Sequence, residues 1–181
     1  LDYLEMRVNL GYDLNNSIYT YPRNLENAHQ KMILEQDKEK IDKRLEEVKR
    51  MYPDIRKKYR GLRNKFRYED GQFIIRPARS AEEIVIEGRI LHHCVGGNNY
   101  LSMHNKGESL ILMLRDKDTP EIPYITVEIN PKTLKITQWY GAYDKKPDQE
   151  IIDHWLNAYL INLKCNQHEE EKIRITVMAA G

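Results

Sequence analysis

The chain has 181 residues, with 29 Lys+Arg against 28 Asp+Glu, 40% hydrophobic residues and two cysteines, Cys94 and Cys165. This length suits one domain with a helical extension, and two cysteines exclude a disulfide scaffold and fit a reducing compartment. No uncharged apolar run approaches the roughly 20 residues of a membrane span, and no basic segment followed by an apolar stretch opens the chain, so we expect a cytoplasmic protein without a membrane partner.

The N-terminal region is predicted to be helical. Asp2–Leu10 should form a short helix that ends at Gly11, and a longer helical stretch follows. Apolar or aromatic residues recur in this stretch with alternating spacings of four and three, at Ile41, Leu45, Val48, Tyr52, Ile55, Tyr59, Leu62 and Phe66. Such spacing places them on one stripe, which we expect to pack against the chain's own helices. Pro53 should kink this stretch or divide it into two abutting helices, because proline lacks an amide donor.

The same stretch contains a strongly basic segment. Between positions 49 and 67 a single acid, Asp54, faces nine basic residues: Lys49, Arg50, Arg56, Lys57, Lys58, Arg60, Arg63, Lys65 and Arg67. This density of positive charge attracts polyanions, so the segment is predicted to bind nucleic acid. The alternative is a solvated helix face whose charges pair with acids elsewhere in the chain.

A hairpin and a helix are predicted next. Residues 66–68 and 72–76 have the composition of two short strands around a Gly-containing turn. Ser80 followed by Glu83 has the pattern of a capping box, so a helix should begin at the residue after Ser80. This helix is predicted to run up to Gly96-Gly97.

Three further strands and two helices complete the predicted core. Asn99–Asn105 should form a short helix, and Ser109–Arg115, Tyr124–Ile129 and Leu134–Gly141 have the length and composition of strands. Asp148 should cap a last amphipathic helix.

These elements predict an α+β fold, with a helical basic N-terminal region and a compact core of helix, antiparallel three-stranded meander and C-terminal helix. We expect the helical region to cover residues 1–65 and the core to cover residues 66–163. A charged tail should follow at residues 164–181, with a short strand in Ile173–Met178.

The register of the last two strands determines the position of Gln138. If the loop at residues 130–133 closes a simple hairpin, Glu128 lies opposite Lys135, and Ile125 lies opposite Gln138. Gln138 would then lie on the apolar face, where an unpaired amide costs about 1–3 kcal/mol, so a polar group should reach it from above the sheet. A one-residue bulge would move Gln138 to the other face.

The segment Glu87–Tyr100 contains the densest chemistry of the chain, with His92, His93 and Cys94 in a row. A Cys–His nucleophile is one interpretation, but adjacent residues point in different directions on a helix. The negative end of a helix dipole also disfavours the thiolate. A zinc site is a second interpretation, with ligands among His92 or His93, Cys94, Cys165 and His168. It lacks the paired CxxC framework of structural zinc sites.

A third interpretation makes His93 a general acid/base, because a helix C-terminus favours the protonated imidazole. In the alternative, His93 and Cys94 are ordinary core residues, and the histidine satisfies Gln138 or a backbone carbonyl. We predict no metal and no cofactor.

Several of these residues resemble a known family in their order and spacing. Leu91-His92-His93-Cys94-Val95-Gly96, then Tyr100, Arg115, Thr126-Val127-Glu128 and Gln138…Gly141, resemble the PcfJ-like family of conjugative plasmids, phages and related mobile elements. The resemblance implies a role in a mobile genetic element, but it carries over no catalytic residue. The family-motif positions that it implies are His93, Cys94, Val95, Gly96, Tyr100, Arg115, Thr126, Glu128, Gln138 and Gly141.

Three functions follow as expectations. The first is a nucleic-acid-associated accessory protein of a mobile element, which would bind DNA or RNA through the basic helix. The second is a metal-independent nuclease or phosphotransferase, with His93, Tyr100, Arg115 and Gln138 as candidate catalytic residues. In it, His93 acts as acid/base, and Arg115 or Gln138 holds an oxyanion or a phosphate. The third is an inhibitor of a host defence complex, which would make a larger protein complex its partner.

Overall fold

The computed structural model describes residues 3–15, 20–35 and 38–179, and these residues form an α+β fold as predicted. Its seven helices are α1 (Tyr3–Asn9), α2 (Leu25–Glu35), α3 (Lys38–Met51), α4 (Pro53–Phe66), α5 (Ala81–Ile90), α6 (Asn98–Lys106) and α7 (Gln149–Ala179). Its five strands are β1 (Tyr68–Glu69), β2 (Phe73–Pro77), β3 (Leu110–Asp116), β4 (Ile125–Asn130) and β5 (Lys135–Tyr140). Among the described helices, none is long and apolar enough to cross a membrane.

All five strands belong to one antiparallel sheet in the order β1-β2-β3-β4-β5. The predicted count of three strands was therefore too low. The first hairpin does not stand apart, because β2 pairs along its whole length with β3, from Phe73 opposite Asp116 to Pro77 opposite Leu112. The sheet thus connects the hairpin to the meander within one core.

The N-terminal helices follow their sequence signals. Gly11, with φ +75°, adopts the left-handed backbone just beyond the end of α1, while Asp2 lies outside the described residues. Pro53 is the first residue of α4, so the helical stretch is divided into two abutting helices rather than kinked. Val48, Ile55 and Phe66 of the apolar stripe are buried within the chain's own core, as predicted.

Helices cover both faces of the sheet. One face packs its Leu, Ile and Val side chains from β3 and β4 against α7, through residues such as Trp155 and Tyr159. On the other face, Ile111 and Met113 of β3 pack under Val48, Ile84 and other apolar residues of α3 to α6. On this second face the alternating positions of β4 and β5 are polar, as the register below shows.

The register of β4 and β5 differs from the predicted hairpin. Glu128 lies opposite Gln138 and Thr126 lies opposite Tyr140, because the register shifts between Glu128 and Ile129. The predicted pairing of Ile125 with Gln138 is therefore wrong, and Gln138 lies on the face opposite to the α7 core.

Helix α5 begins as predicted but ends earlier. The Ser80 hydroxyl accepts a hydrogen bond from the Glu83 amide at the helix start. The helix stops at Ile90 rather than at Gly96-Gly97, and Cys94–Gly96 forms a separate 3₁₀ turn. That turn folds back onto α5 at Gly88, where a Cβ atom would lie 2.8 Å from the Gly96 nitrogen and 2.9 Å from the His93 oxygen. The close approach at Gly88 thus fixes the backbone of the His93 segment.

The C-terminal tail is helical as far as the structure describes it. Helix α7 continues through Ile173–Met178, so the predicted strand there is wrong, and residues 180–181 lie outside the described residues. The side chains of the last turns are exposed, as Ile175 is at 68%.

A buried histidine that the sequence analysis did not single out joins α6 to the sheet. The Nδ1 atom of His104 accepts a hydrogen bond from the Ile111 amide (2.9 Å), and the side chain is 1% exposed. Nδ1 therefore carries no proton in the fold, and burial lowers the pKa of His104 to about 4.

His104 should make the fold less stable in acid. Its pKa is lower in the fold than in the unfolded chain, so the unfolded state binds more protons between about pH 6.5 and pH 4. The stability that the neutral imidazole provides is complete above this window and is lost as the pH falls through it, by at most about 1.4 kcal/mol per pH unit. The free energy of unfolding of His104→Asn, measured with denaturant at several pH values, should change less steeply with pH. The amide oxygen that this variant introduces can still accept the hydrogen bond of the Ile111 amide. The surface variant His154→Asn should keep the pH dependence of the wild type. An unchanged pH dependence in His104→Asn would contradict the attribution of the acid sensitivity to His104.

Candidate functional site

A cavity of about 410 Å³ opens over the polar part of the sheet, beside the 3₁₀ turn and α6. Its lining includes His93, Cys94, Tyr100, Thr126, Glu128 and Gln138. His93 directly precedes the 3₁₀ turn, Cys94 begins it, and α6 supplies Tyr100. Strands β4 and β5 supply the other three side chains. The cavity, called the His93 cavity below, therefore gathers an imidazole, a thiol, a phenol, a carboxylate and an amide.

His93 ends a chain of hydrogen bonds that begins in the core. Arg115 pairs with Glu87 through both carboxylate oxygens, at 3.0 and 2.5 Å, and the two side chains are 4% and 1% exposed. The Thr126 hydroxyl donates to Glu87 Oε1 (3.0 Å) and lies 3.1 Å from His93 Nε2. A buried ion pair thus connects through one hydroxyl to the half-buried imidazole.

The predicted protonated state of His93 is not supported. The residue lies beyond the end of α5 and precedes the 3₁₀ turn, so it is not in the last turn of a helix as predicted. Burial lowers the pKa of His93, although the carboxylates of Glu87 and Asp144 oppose this effect. At a given pH, His93 is therefore neutral more often than a free imidazole. The prediction was the opposite, a stabilised protonated form.

A second chain of hydrogen bonds crosses the floor of the cavity. The Gln138 amide donates to Glu128 Oε2 (2.7 Å) and to the Tyr100 hydroxyl (3.4 Å), and Ser109 donates to Glu128 Oε1 (2.5 Å). The Cys94 thiol lies 3.6 Å from the same Tyr100 hydroxyl, and this bond raises the pKa of Tyr100. Gln138 is therefore satisfied by cavity residues and not by the apolar core.

The rim of the cavity has an unusual backbone. His92, Tyr143 and Asp144 all have φ between 53° and 57°, the left-handed region that non-glycine residues rarely adopt. The His92 and Tyr143 rings stack 4.5 Å apart, and the Tyr143 amide donates to the Leu91 oxygen (2.8 Å). These contacts hold the loop after β5 against the His93 segment and place Asp144 at the cavity.

The structure brings together three of the four candidate catalytic residues. His93, Tyr100 and Gln138 line the His93 cavity, as do the motif positions Thr126 and Glu128. Arg115 does not line it, because its guanidinium binds Glu87 in the core. An oxyanion or phosphate in the His93 cavity therefore has no ligand in Arg115.

The motif positions Val95, Gly96 and Gly141 contribute to packing. Val95 is buried with α5 and α6, and a Cβ atom at Gly96 would lie 3.1 Å from the Val85 Cα. At Gly141 a Cβ atom would lie 3.0 Å from the Pro147 ring. These residues permit close packing around the site rather than offering reactive groups.

The other interpretations of the His-Cys segment find little support. No group of three His, Cys, Asp or Glu side chains that could hold a metal ion is found among the described residues, and the exposed Cys165 and His168 lie on α7. The thiol of Cys94 contacts Tyr100 rather than the His93 ring. The Nε2 atom of that ring forms a hydrogen bond with the Thr126 hydroxyl.

Glu87 and Asp144 were not predicted as site residues from the sequence. A signal for Glu87 exists, because it follows Ile84 by three positions and precedes Leu91 by four, which puts an acid on the buried stripe of a helix. A buried acid requires a partner of opposite charge, here Arg115. No such signal exists for Asp144, whose position depends on the left-handed loop after β5.

The basic segment forms a separate surface. All nine of its Lys and Arg side chains are exposed. Lys49, Arg56, Lys57 and Arg67 pair with nearby acids, and Lys58 donates to the Asn105 oxygen. Within the described ranges, Arg50, Arg60, Arg63 and Lys65 have no ion-pair partner, and Lys65 lies over the Phe66 ring. Arg60 and Arg63 lie on the same side of α4 as Arg56.

Comparison with known proteins gives one family. The sequence model of the PcfJ-like protein family matches residues 1–155. An uncharacterized protein of Listeria innocua is 27% identical over 173 residues, which is 93% of this chain and 36% of that protein. The chain therefore spans about a third of the length of the curated relative that it matches. No solved structure matches the chain.

Proposed function

The chain belongs to the PcfJ-like protein family, and we propose that it is a nucleic-acid-associated accessory protein of a mobile genetic element, acting in the cytoplasm. The observation that carries the binding function is the exposure of all nine cations of the basic segment. Phosphate contacts made by such residues supply most of the affinity of sequence-independent binding. The mobile-element role rests on the family resemblance alone.

The partly paired charges of the segment leave a defined set of residues to contact phosphates first. Arg50, Arg60, Arg63 and Lys65 need not break an ion pair to do so. Lys49 and Lys57 pair with acids that are themselves partly exposed. Such surface pairs contribute at most about 1 kcal/mol, so a phosphate can replace the acid.

Binding should weaken steeply with salt, and less steeply when the three unpaired arginines are removed. In a fluorescence-anisotropy titration of a labelled duplex, the triple variant Arg50→Gln, Arg60→Gln and Arg63→Gln should reduce the slope of log K against log[salt] by about 3. Each arginine removed releases about one counterion fewer.

A matched control removes the same charge elsewhere. Lys132→Gln, Lys135→Gln and Lys164→Gln are exposed substitutions outside the basic segment, and together they should leave the slope nearly unchanged. An equal reduction of this slope in both triple variants would show that only the net charge of the chain matters. The proposal would be discarded if neither duplex nor single-stranded DNA or RNA bound at low salt.

A second function is favoured by one observation, the meeting of His93, Tyr100, Gln138 and Cys94 at an open cavity. We propose acid/base catalysis on a phosphodiester or a related phosphoryl group, with His93 as the residue that exchanges the proton. A half-buried imidazole whose pKa lies below 6.5 is mostly neutral near pH 7, the form that a general base requires. Since Arg115 is occupied, the substrate phosphate would rely on the basic segment and on the hydroxyl and amide groups of the cavity.

A further inference from the structure

We infer that Thr126, oriented by the Glu87–Arg115 pair, is a positioning residue that keeps the proton of neutral His93 on Nε2 and leaves Nδ1 as the nitrogen that takes up and releases a proton. The assignment deepens the second proposed function, acid/base catalysis by His93, and rests on it for its relevance to turnover. The proton position itself follows from the hydrogen bonds alone.

Arg115 determines the charge state of Glu87. Both oxygens of its carboxylate accept hydrogen bonds from Arg115, at 3.0 and 2.5 Å, and the two side chains are almost completely buried. Arginine stays protonated in proteins, and a buried guanidinium requires a negative partner. Glu87 is therefore a carboxylate, which can accept hydrogen bonds but has no proton to donate.

The charge of Glu87 determines the direction in which the Thr126 hydroxyl donates. A hydroxyl has one proton and two lone pairs. Because Glu87 Oε1, 3.0 Å away, can only accept, the Thr126 proton points to Glu87. The bond between Thr126 and His93 Nε2 (3.1 Å) must then run the other way, with Nε2–H as the donor.

The bond to Thr126 determines which nitrogen of the His93 ring is protonated last. With the Nε2 proton held by Thr126, neutral His93 carries its lone pair on Nδ1, and protonation adds the second proton there. The charged and titratable groups around the ring are Glu87 on α5, Asp144 on the loop after β5 and the neighbouring His92. None of these three forms a hydrogen bond with Nε2 in the structure, so Thr126 is the side chain that holds the proton there. The backbone of His93 also forms a hydrogen bond with its own ring, which raises the pKa of His93 and favours the protonated form.

Two substitutions separate the hydroxyl from the shape of Thr126. Thr126→Val keeps the branched side chain of this buried strand position and removes the hydroxyl, whereas Thr126→Ser keeps the hydroxyl. The probe is ¹⁵N NMR of the full chain labelled at the histidine rings, recorded from pH 5 to pH 9. Backbone amide spectra of each variant check that the fold is retained.

In the wild type and in Thr126→Ser, His93 above its pKa should show a protonated Nε2 and an unprotonated Nδ1, with the large titration shift on Nδ1. In Thr126→Val the two nitrogen shifts should move towards each other as the proton exchanges between them, and the pKa of His93 should fall because the imidazolium loses an acceptor. A wild-type His93 with its proton on Nδ1 would overturn the inference, as would identical ring spectra in the wild type and Thr126→Val. Because the experiment uses no substrate, it reports the position of the His93 proton even if the cavity proves not to be catalytic.

Discussion

Replacing Glu87 by alanine should lower the free energy of unfolding by about 3–5 kcal/mol. The substitution leaves the Arg115 guanidinium, 4% exposed, without its carboxylate partner in the core. It also removes the acceptor of the Thr126 hydroxyl. Urea denaturation followed by circular dichroism would measure the loss as a lower midpoint.

Two controls define this prediction. Glu46→Ala removes a carboxylate from an exposed pair with Lys49 (3.6 Å), and it should cost less than about 1 kcal/mol. The double variant Glu87→Met with Arg115→Met removes both buried charges and should recover most of the stability, because apolar side chains of similar volume often replace a buried ion pair without loss. A loss below about 1 kcal/mol in Glu87→Ala would show that water reaches Arg115 and that the pair is not a core feature.

The importance of this pair could be only partly read from the sequence. The apolar stripe of α3 and α4, the start of α5 after Ser80 and the short helix α6 depend on residues within a few turns of one another, and all three were predicted correctly. Glu87 also lies on a predictable stripe. Its partner Arg115 is 28 residues away on β3, and only the packing of α5 on the sheet brings the two together.

Three of the four candidate catalytic residues, His93, Tyr100 and Gln138, meet at one cavity, but Arg115 does not and the geometry differs from the prediction. His93 and Gln138 line one cavity, as expected, but the reason was wrong: the register shift after Glu128 puts Gln138 on the polar face, where Glu128 and Tyr100 satisfy it. A bulge of this kind has no local sequence signal, because it depends on how the neighbouring strands and helices pack.

The early end of α5 has a similar cause. Residues 91–95 continue the apolar pattern of the helix, so periodicity alone extends it to Gly96. The chain instead turns at His92, with φ 53°, and packs the 3₁₀ turn against Gly88. This tertiary contact removes His93 from the helix, and burial at its new position lowers the pKa of His93.

His93→Ala should decrease turnover of a phosphodiester substrate by about 10²–10⁴-fold if the His93 cavity is catalytic, since this is the usual contribution of a positioned acid or base. The melting temperature should change little, because the imidazole is half-buried and Thr126 retains its bond to Glu87 without it. The measurement is cleavage of fluorescently labelled single-stranded RNA and DNA, with and without EDTA.

The neighbouring imidazole provides the matched control for this experiment. His92 lies on the rim, where its ring stacks on Tyr143, and its φ of 53° is one that asparagine tolerates better than most residues. His92→Asn should therefore retain turnover, whereas a loss shared by both variants would indicate damage to the rim rather than removal of an acid/base. Unchanged turnover in His93→Ala would make His93 a structural residue. The basic segment would then carry the function alone, because its nine exposed cations do not depend on the chemistry of the cavity.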